Sequence, residues 1–206
     1  MIKQPCFILM VIFLPAISIA SLPSKWNNPS FLERMVKREI LAFATIENAD
    51  DKRHFQMEGA GITKASANKA LEAIWAERCW EKHITAIHKL KLIEGDSTNK
   101  VLDIEASVLR LYWLKSRLKV HLNKKENVMN WEFIAGDMNG MRGYVELSPS
   151  QNGTIVTIRN DLIRQKFNIP SIVIKIALGL ALKQAGWSLR NIMEAGSTDP
   201  CLTTPS

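Results

Sequence analysis

The stretch SIVIKIALGLALKQAGWSLRNIMEA, residues 171–195, decides the fold of this chain. Pro170 stands before it, where proline often opens a helix, and Gly196 follows it, where glycine often closes one. We therefore predict a long C-terminal helix over these residues. Its first half is apolar on almost every side, interrupted only by Lys175 and Gly179, so protein, ligand or lipid must cover more than one face. A curved sheet wrapped around the helix would provide that cover.

The segment from residue 86 to 164 supplies such a sheet. Apolar and polar residues alternate in it with period two, which predicts an antiparallel meander of six strands. The predicted turns lie at residues 95–97, 111–113, 124–127, 137–140 and 151–153. If residues 111–113 close a hairpin, Asp103 and Glu105 lie opposite Lys119 and Arg117 on the polar face.

Short helices and a hairpin precede the meander. Residues 39–46 and 53–63 have the composition of strands, and the sequence Asn-Ala-Asp-Asp at 48–51 suits a tight turn between them. A short helix is expected from about residue 29 or 30 to 38. Apolar spacing then predicts a helix over residues 67–78, with Ser66 as its N-cap, and a second short helix near 80–83.

The first twenty residues have the pattern of a secretory signal. Lys3 precedes an apolar run over residues 7–19, and small residues at Ser18 and Ala20 fit cleavage after Ala20. The run is shorter than the roughly 20 residues of a membrane span. We expect an exported protein, periplasmic or secreted, with a linker and short helix at 21–38, one folded domain at 39–196 and a mobile tail at 197–206.

The composition agrees with a single globular domain. In 206 residues, 47% are hydrophobic and 23% charged, which excludes a disordered chain and a large multidomain enzyme. The 27 Lys and Arg outnumber the 20 Asp and Glu for a net charge of +7, which favours acidic partners such as anionic lipid or nucleic acid. Export makes nucleic acid an unexpected partner.

Two cysteines remain after the signal is removed, Cys79 and Cys201. In an oxidising compartment they either form a disulfide that ties the tail to the domain or remain separate thiols. Cys79 and His83, four residues apart, would share a helix face as a nucleophile pair or as two metal ligands. No CxxC or HExxH spacing accompanies them, so we expect neither a metal nor a cofactor.

The order of hairpin, short helices, meander and long helix resembles the START-like (SRPBCC) helix-grip superfamily. The likeness rests on GITKASANKALEAIW at 61–75, with Ile74 and Trp75 as the family's "vW" pair, and on WEFIAGDMNGMRGYVEL at 131–147. GTIVTI at 153–158 and Pro170 at the start of the last helix complete it. The chain is most similar to the polyketide cyclase and coenzyme Q-binding START-like group, although AERCW at 76–80 departs from the segment that usually follows the "vW" pair.

The resemblance implies an α+β fold, with a curved antiparallel sheet of six to eight strands around the C-terminal helix and short helices after the first strands. Members of the group hold an apolar ligand between sheet and helix, and the periodicity of this sequence nominates residues for that cavity. The candidates are Trp75, Ile104, Leu118, Val120, Trp131, Phe133, Tyr144, Ile176, Leu180, Gln184 and Trp187. Gln184, Tyr144 and Asn160 would supply its polar groups.

Three functions remain open on the sequence. The first is binding or transport of a hydrophobic small molecule such as a lipid, quinone or polyketide-like compound. The second is a cyclase, dehydrase or hydrolase that uses the same cavity, for which no spacing singles out a catalytic residue among Glu132, Asp137, Arg142 and Asp161. The third is a structural protein with a filled core.

The loop at Leu111, Tyr112 and Trp113 suggests a second contact. These residues are flanked by Arg110 and Lys115, a mixture that suits the interface of an anionic membrane. Alternatively, the loop folds back and covers the core.

Overall fold

A computed structural model describes residues 26, 28–49, 51–108, 112–165, 171–195, 199 and 201. Within these ranges the chain forms one mixed α+β domain. Its elements are α1 (Pro29–Val36), β1 (Leu41–Ala49), β2 (Lys52–Thr63), α2 (Ala67–Trp75), a 3-10 turn (Glu77–Cys79), α3 (Trp80–His83), β3 (Ile87–Gly95), β4 (Asn99–Val108), β5 (Tyr112–Asn123), β6 (Val128–Gly136), β7 (Arg142–Ser150), β8 (Gly153–Gln165) and α4 (Ser171–Ala195).

All eight strands belong to one antiparallel sheet in the order β1-β2-β8-β7-β6-β5-β4-β3. The hairpin and the six-stranded meander are both confirmed, and β8 returns to pair with β2, as in Gly59 opposite Ile158. The first turn is tighter than predicted, because β1 continues to Ala49 and β2 begins at Lys52. The predicted signal at 1–20, Pro170 and Gly196 lie outside the described residues.

The register of β4 and β5 differs from the prediction by two residues. Asp103 lies opposite Arg117, and Glu105 lies opposite Lys115. The Arg117 guanidinium donates to both oxygens of Asp103 at 2.7 and 3.0 Å. Tyr112 and Trp113, predicted as part of the turn, belong to β5, which begins at Tyr112. Since the shift is even, each side chain keeps the predicted face.

The second helix ends earlier than predicted, at Trp75 rather than at Arg78. The indole Nε1 of Trp80 donates to the carbonyl of Ile74 at 2.9 Å. In a continuing helix that carbonyl would accept from the amide of residue 78. The 3-10 turn and α3 follow, so the predicted short helix near 80–83 is confirmed.

Helices cover both faces of the sheet at its β1-β2-β8 side. α1 and Trp26 pack on the outer face, where Met35 is fully buried against a cluster that includes Leu41 and Ile62. The inner face carries α2, α3 and α4, and Ile192 of α4 is fully buried there. The short helix predicted from residue 29 or 30 is therefore confirmed as α1, although it ends at Val36 rather than at 38. Among the described residues, no helix is long and apolar enough to cross a membrane.

Candidate functional site

A cavity of about 310 Å³ lies between the inner face of the sheet, α3 and the middle of α4. This volume falls at the lower end of the range of small-molecule sites, roughly 300 to 1,000 Å³. Its wall consists of Trp80, Ile84, Ile87, Ile104, Ala106, Leu114, Ser116, Leu118, Val120, Met129, Trp131, Phe133, Met138, Met141, Val145, Ile158, Asn160, Leu182, Ala185 and Leu189.

The wall is almost entirely apolar. Ser116 and Asn160 carry its polar groups, together with the indole nitrogens of Trp131 and Trp80, the latter bonded to the carbonyl of Ile74, and none of the described lining residues is ionisable. A charged group placed here would lose its hydration without gaining an ion partner, which is costly. The cavity therefore suits an uncharged, largely apolar guest.

A polar contact crosses three strands on the cavity wall. Trp131, Gly143 and Asn160 lie side by side on β6, β7 and β8. The Trp131 Nε1 donates to Oδ1 of Asn160 at 3.0 Å, passing over Gly143. A Cβ at residue 143 would lie 2.6 Å from that Oδ1 and 2.7 Å from the indole ring, so only glycine leaves room for the contact.

The turn between β6 and β7 closes one end of the cavity. Ser116 Oγ accepts from the amide of Met138 at 3.0 Å, and the Asp137 carboxylate accepts from the amide of Lys115 at 2.7 Å. Gly136 has φ +84°, a conformation that favours glycine. These bonds hold the turn against β5 and place Met138 and Met141 in the cavity wall.

Five of the predicted cavity residues lie in the wall: Ile104, Leu118, Val120, Trp131 and Phe133. Asn160, predicted as a polar group, lies there too. The five apolar residues follow from the alternation of the strands, since each has the same parity as the buried apolar residues of its strand, whereas β8 has buried residues of both parities.

The remaining candidates do not line the cavity. Tyr144 precedes Val145, which does, and so points to the opposite face of β7. Burial raises the pKa of the Tyr144 phenol there. Trp75 packs against the core and carries the Lys100 ammonium 4.2 Å from its ring centre.

The four helix candidates lie on the wrong face of α4. Ile176, Leu180 and Trp187 are 58, 54 and 55% exposed, and Gln184 donates from Nε2 to the hydroxyl of Thr85 at 2.8 Å. The cavity is lined instead by Leu182, Ala185 and Leu189. Both faces of this helix carry apolar residues at helical spacing, so periodicity alone does not choose between them.

Sequence reasoning missed the contribution of α3 and of the following turn. Trp80, Ile84 and Ile87 line the cavity. Their spacing of four and three was the available signal, but residue 84 follows the end of the helix and residue 87 begins β3.

Cys79 and Cys201 form a disulfide with Cα atoms 5.4 Å apart. We call residues 199 and 201 the strap. The Asp199 carboxylate also holds the strap to α3, at 2.7 Å from Lys82 Nζ and 2.8 Å from His83 Nε2. A hydrogen bond from Lys82 and one from the amide of Cys201 lower the pKa of Asp199 to about 2. The mobility expected of the tail therefore does not apply at residues 199 and 201.

The strap also removes the alternatives drawn for Cys79 and His83. A cysteine in a disulfide is not a nucleophile, and His83 is engaged by Asp199. His83, Asp199 and Cys201 bring their donor atoms within 4.8 Å of one another, but the sulfur of Cys201 is bonded to Cys79. This group does not fit a metal centre.

Trp113 lies near the N-terminal end of β5. It is 66% exposed, and its ring centre lies 4.4 Å from that of His88. Leu114 beside it lines the cavity, so Trp113 faces the other side of β5. Leu111 and the side chain of Tyr112, predicted with it as membrane contacts, lie outside the described parts of the chain.

Comparison with known proteins identifies the fold. No protein-family model matches the sequence, and no curated protein matches it. A protein from Thermus thermophilus superposes with a TM-score of 0.58 at 10% identity, over 68% of this chain and 94% of its own. The Zhui aromatase/cyclase from a Streptomyces species superposes with a TM-score of 0.54 at 12% identity, over 69% of this chain and 91% of its own. The STAR-related lipid transfer protein from Xanthomonas axonopodis superposes with a TM-score of 0.55 at 11% identity, over 73% of this chain and 98% of its own.

These structures confirm the resemblance drawn from the sequence motifs. They share with this chain an antiparallel sheet curved around a long C-terminal helix, and at such low identity the likeness concerns the fold. The chain therefore has the START-like helix-grip fold.

Proposed function

We propose that this protein binds a hydrophobic small molecule by burying it in the cavity between the sheet and α4. The observation that carries the proposal is the apolar cavity of about 310 Å³. Each CH2 group moved from water into such a site contributes roughly 0.8 kcal/mol. The lipid transfer protein and the aromatase/cyclase of the same fold are consistent with this use, and the cavity does not fit the alternative of a filled core.

Binding is favoured over acid–base catalysis because of where the ionisable groups lie. Glu132 pairs with Arg142, Asp161 pairs with Arg159, and Asp137 accepts from the amide of Lys115. None of these residues lines the cavity. General acid–base chemistry on a bound molecule needs a titratable group within hydrogen-bond reach of it. A cyclase or dehydrase would have to work here without one from the described wall.

The binding test compares two substitutions on one helix. Ala185→Trp would fill the cavity, whereas Leu180→Trp adds the same ring on the exposed face. We expect the neutral fluorescent probe N-phenyl-1-naphthylamine to bind the wild type and Leu180→Trp alike. Ala185→Trp should weaken binding at least tenfold. Absence of uptake by the wild type, or equal loss in both variants, would contradict the proposal.

We further propose that the protein is exported. The disulfide between Cys79 and Cys201 is of a kind that persists in oxidising compartments, and it supports the signal pattern at the N-terminus. N-terminal sequencing of the protein from its own host should give Ser21 as the first residue. A retained signal in a reduced cytosolic protein would contradict export.

An anionic membrane surface is the proposed source of the ligand. Large exposed apolar side chains occur at the end of the sheet where β5 begins and β6 and β8 end, and on the first turns of α4. We call them the apolar rim: Trp113, Ile134, Ile163, Ile172 and Ile176, at 66, 43, 61, 63 and 58% exposure. The exposed Lys175 lies among them on α4, so cation and apolar groups occur together, as membrane contact requires.

Vesicle flotation tests the rim against a matched site. Ile172→Ser/Ile176→Ser should reduce binding to vesicles that contain phosphatidylglycerol, since both changes remove apolar rim surface. Leu92→Ser/Ile93→Ser removes exposed apolar surface near the far end of β3 and should leave binding unchanged. Equal effects of the two pairs would rule out the rim as the contact.

A further inference from the structure

The amide of Asn160 has a fixed orientation in the cavity wall. An indole nitrogen only donates hydrogen bonds, so the atom of Asn160 that faces Trp131 must be the carbonyl oxygen Oδ1. The nitrogen Nδ2 then points away from Trp131. It donates to none of the residues that the structure describes.

This donor is accessible from the cavity rather than enclosed by protein. Asn160 as a whole is only 8% exposed and belongs to the cavity wall. A ligand oxygen that accepts from Nδ2 would gain a hydrogen bond in apolar surroundings. The contact with Trp131 across Gly143 also keeps the amide from rotating, so its direction is set before a ligand arrives.

We propose that Asn160 selects uncharged ligands that carry a hydrogen-bond acceptor such as a ketone or quinone carbonyl. This inference rests on the proposed binding function and names the class of ligand. The acceptor receives a hydrogen bond from Nδ2, while the apolar body of the ligand contacts the aliphatic wall. An anionic ligand is rejected, because none of the described lining residues offers it a countercharge.

Three probes of nearly identical shape test the class. 2-Acetylnaphthalene carries a neutral acceptor, 2-ethylnaphthalene carries none, and 2-naphthoate carries a charge. Displacement of N-phenyl-1-naphthylamine at pH 7 gives their relative affinities. We expect the ketone to bind roughly fivefold more tightly than the ethyl compound, the effect of one buried hydrogen bond. The carboxylate should bind most weakly.

Two variants assign the preference to Asn160. Trp131→Phe removes the indole donor but keeps the amide, and it should retain a preference for the ketone. Trp131→Phe/Asn160→Leu removes both members of the pair and leaves neither unpaired, so it should fold. It should bind the ketone and the ethyl compound equally. Ser116→Ala, which alters the other polar group of the wall, should leave the preference unchanged.

The outcomes separate this inference from the proposed function. If no naphthalene compound binds the wild type, the binding function itself fails. If all bind but the ketone has no advantage, or if the double variant keeps it, the role of Asn160 is overturned while the binding function stands. Loss of the preference in Ser116→Ala would assign the donor to Ser116 and overturn the inference as well.

Discussion

The two halves of α4 are attached to the domain in different ways. In the C-terminal half, Ile192 and Met193 are 0 and 2% exposed within the main core. In the N-terminal half, Ile172, Ile176 and Leu180 are more than half exposed. The same helix is therefore buried in the core at its C-terminal end, lines the cavity with Leu182, Ala185 and Leu189 in its middle, and is exposed at its N-terminal end.

Polar contacts add to the difference. Arg38 donates to both carboxylate oxygens of Glu194 at 2.9 and 2.6 Å, and the amide of Lys64 donates to the same carboxylate at 2.9 Å. The buried Arg190 donates to the carbonyl of Arg38 at 2.7 Å. At the middle of the helix, the contact between Gln184 and Thr85 is on the surface. The C-terminal half is thus clamped to the α1–β1 turn and to the end of β2.

Apolar character in a helix therefore does not by itself mean burial. The first half of α4 is the more apolar half, yet the second half is the more buried one. A largely exposed half makes fewer packing contacts and opens at lower free energy than one locked in the core. Substitutions at and around the two halves should therefore differ in their effect on stability.

The largest effect is expected from the strap beyond the C-terminal end. The disulfide joins residues 122 apart in sequence, and loss of such a cross-link costs about 5 kcal/mol in the chain-entropy model. Cys79→Ser/Cys201→Ser should lower the free energy of unfolding in urea by that amount. Dithiothreitol should destabilise the wild type alone, and an equal effect on the double variant would exclude the disulfide as its cause.

Core truncation separates the two halves directly. Ile192→Ala removes a fully buried side chain and should cost about 3 kcal/mol of unfolding free energy, as large-to-small core changes do. Ile176→Ala makes the same change at an exposed site and should alter it by less than about 0.5 kcal/mol. Urea titrations of both measure the difference. Similar costs would mean that the halves are equally packed.

The sequence predicted most of the fold because the fold depends on local patterns. Period-two alternation identified the face on which each strand residue lies. The predicted pairing of Asp103 with Lys119 was two residues away from the observed pairing with Arg117, and an even shift leaves each side chain on the same face. The position of a hairpin turn to within one residue depends on local backbone geometry, which the composition of 111–113 did not determine.

The cavity residues were predicted better on the strands than on α4. Strand residues such as Trp131 followed from parity, and the error at Tyr144 was avoidable, since its neighbours Val145 and Gly143 occupy the inner face. The face of α4 was not predictable from its own sequence. Leu178, Leu182, Ala185 and Leu189 have spacings as helical as those of the exposed stripe, and only the sheet decides which set it covers.

The clamp at Glu194 gives the next effect, and it depends on pH. Burial alone would raise the pKa of Glu194, but hydrogen bonds from Arg38 and the amide of Lys64 outweigh it and lower the pKa. The stabilisation is therefore present above the unfolded pKa of about 4.3 and is lost as the pH falls through the lower folded pKa. Glu194→Gln should cost about 2 kcal/mol at pH 7, as loss of charged hydrogen bonds does.

The measurement is the unfolding free energy of wild type and Glu194→Gln at pH 7 and at successively lower pH. The difference between them should shrink as the pH falls below about 4.3, because the wild-type carboxylate becomes protonated. A difference that stays constant down to a pH of about 2 would show that the charge of Glu194 is not what holds the C-terminal half.

The smallest effect on stability is expected at the surface contact in the middle of α4, which can be removed without changing the shape of a side chain. Thr85→Val replaces the hydroxyl that accepts from Gln184, and this exposed bond should contribute less than about 0.5 kcal/mol to the free energy of unfolding.

The effect of Thr85→Val should appear in the rate of ligand release. If the middle of α4 moves when the ligand leaves, loss of the contact should raise the dissociation rate of N-phenyl-1-naphthylamine, measured by stopped flow, by roughly twofold. Lys37→Met, which removes an exposed ion pair with Glu33 on α1, provides a control of similar energy away from the cavity. Faster release in both variants would indicate general loosening of the domain, whereas unchanged release in Thr85→Val would place the route out of the cavity elsewhere than beneath the middle of the helix.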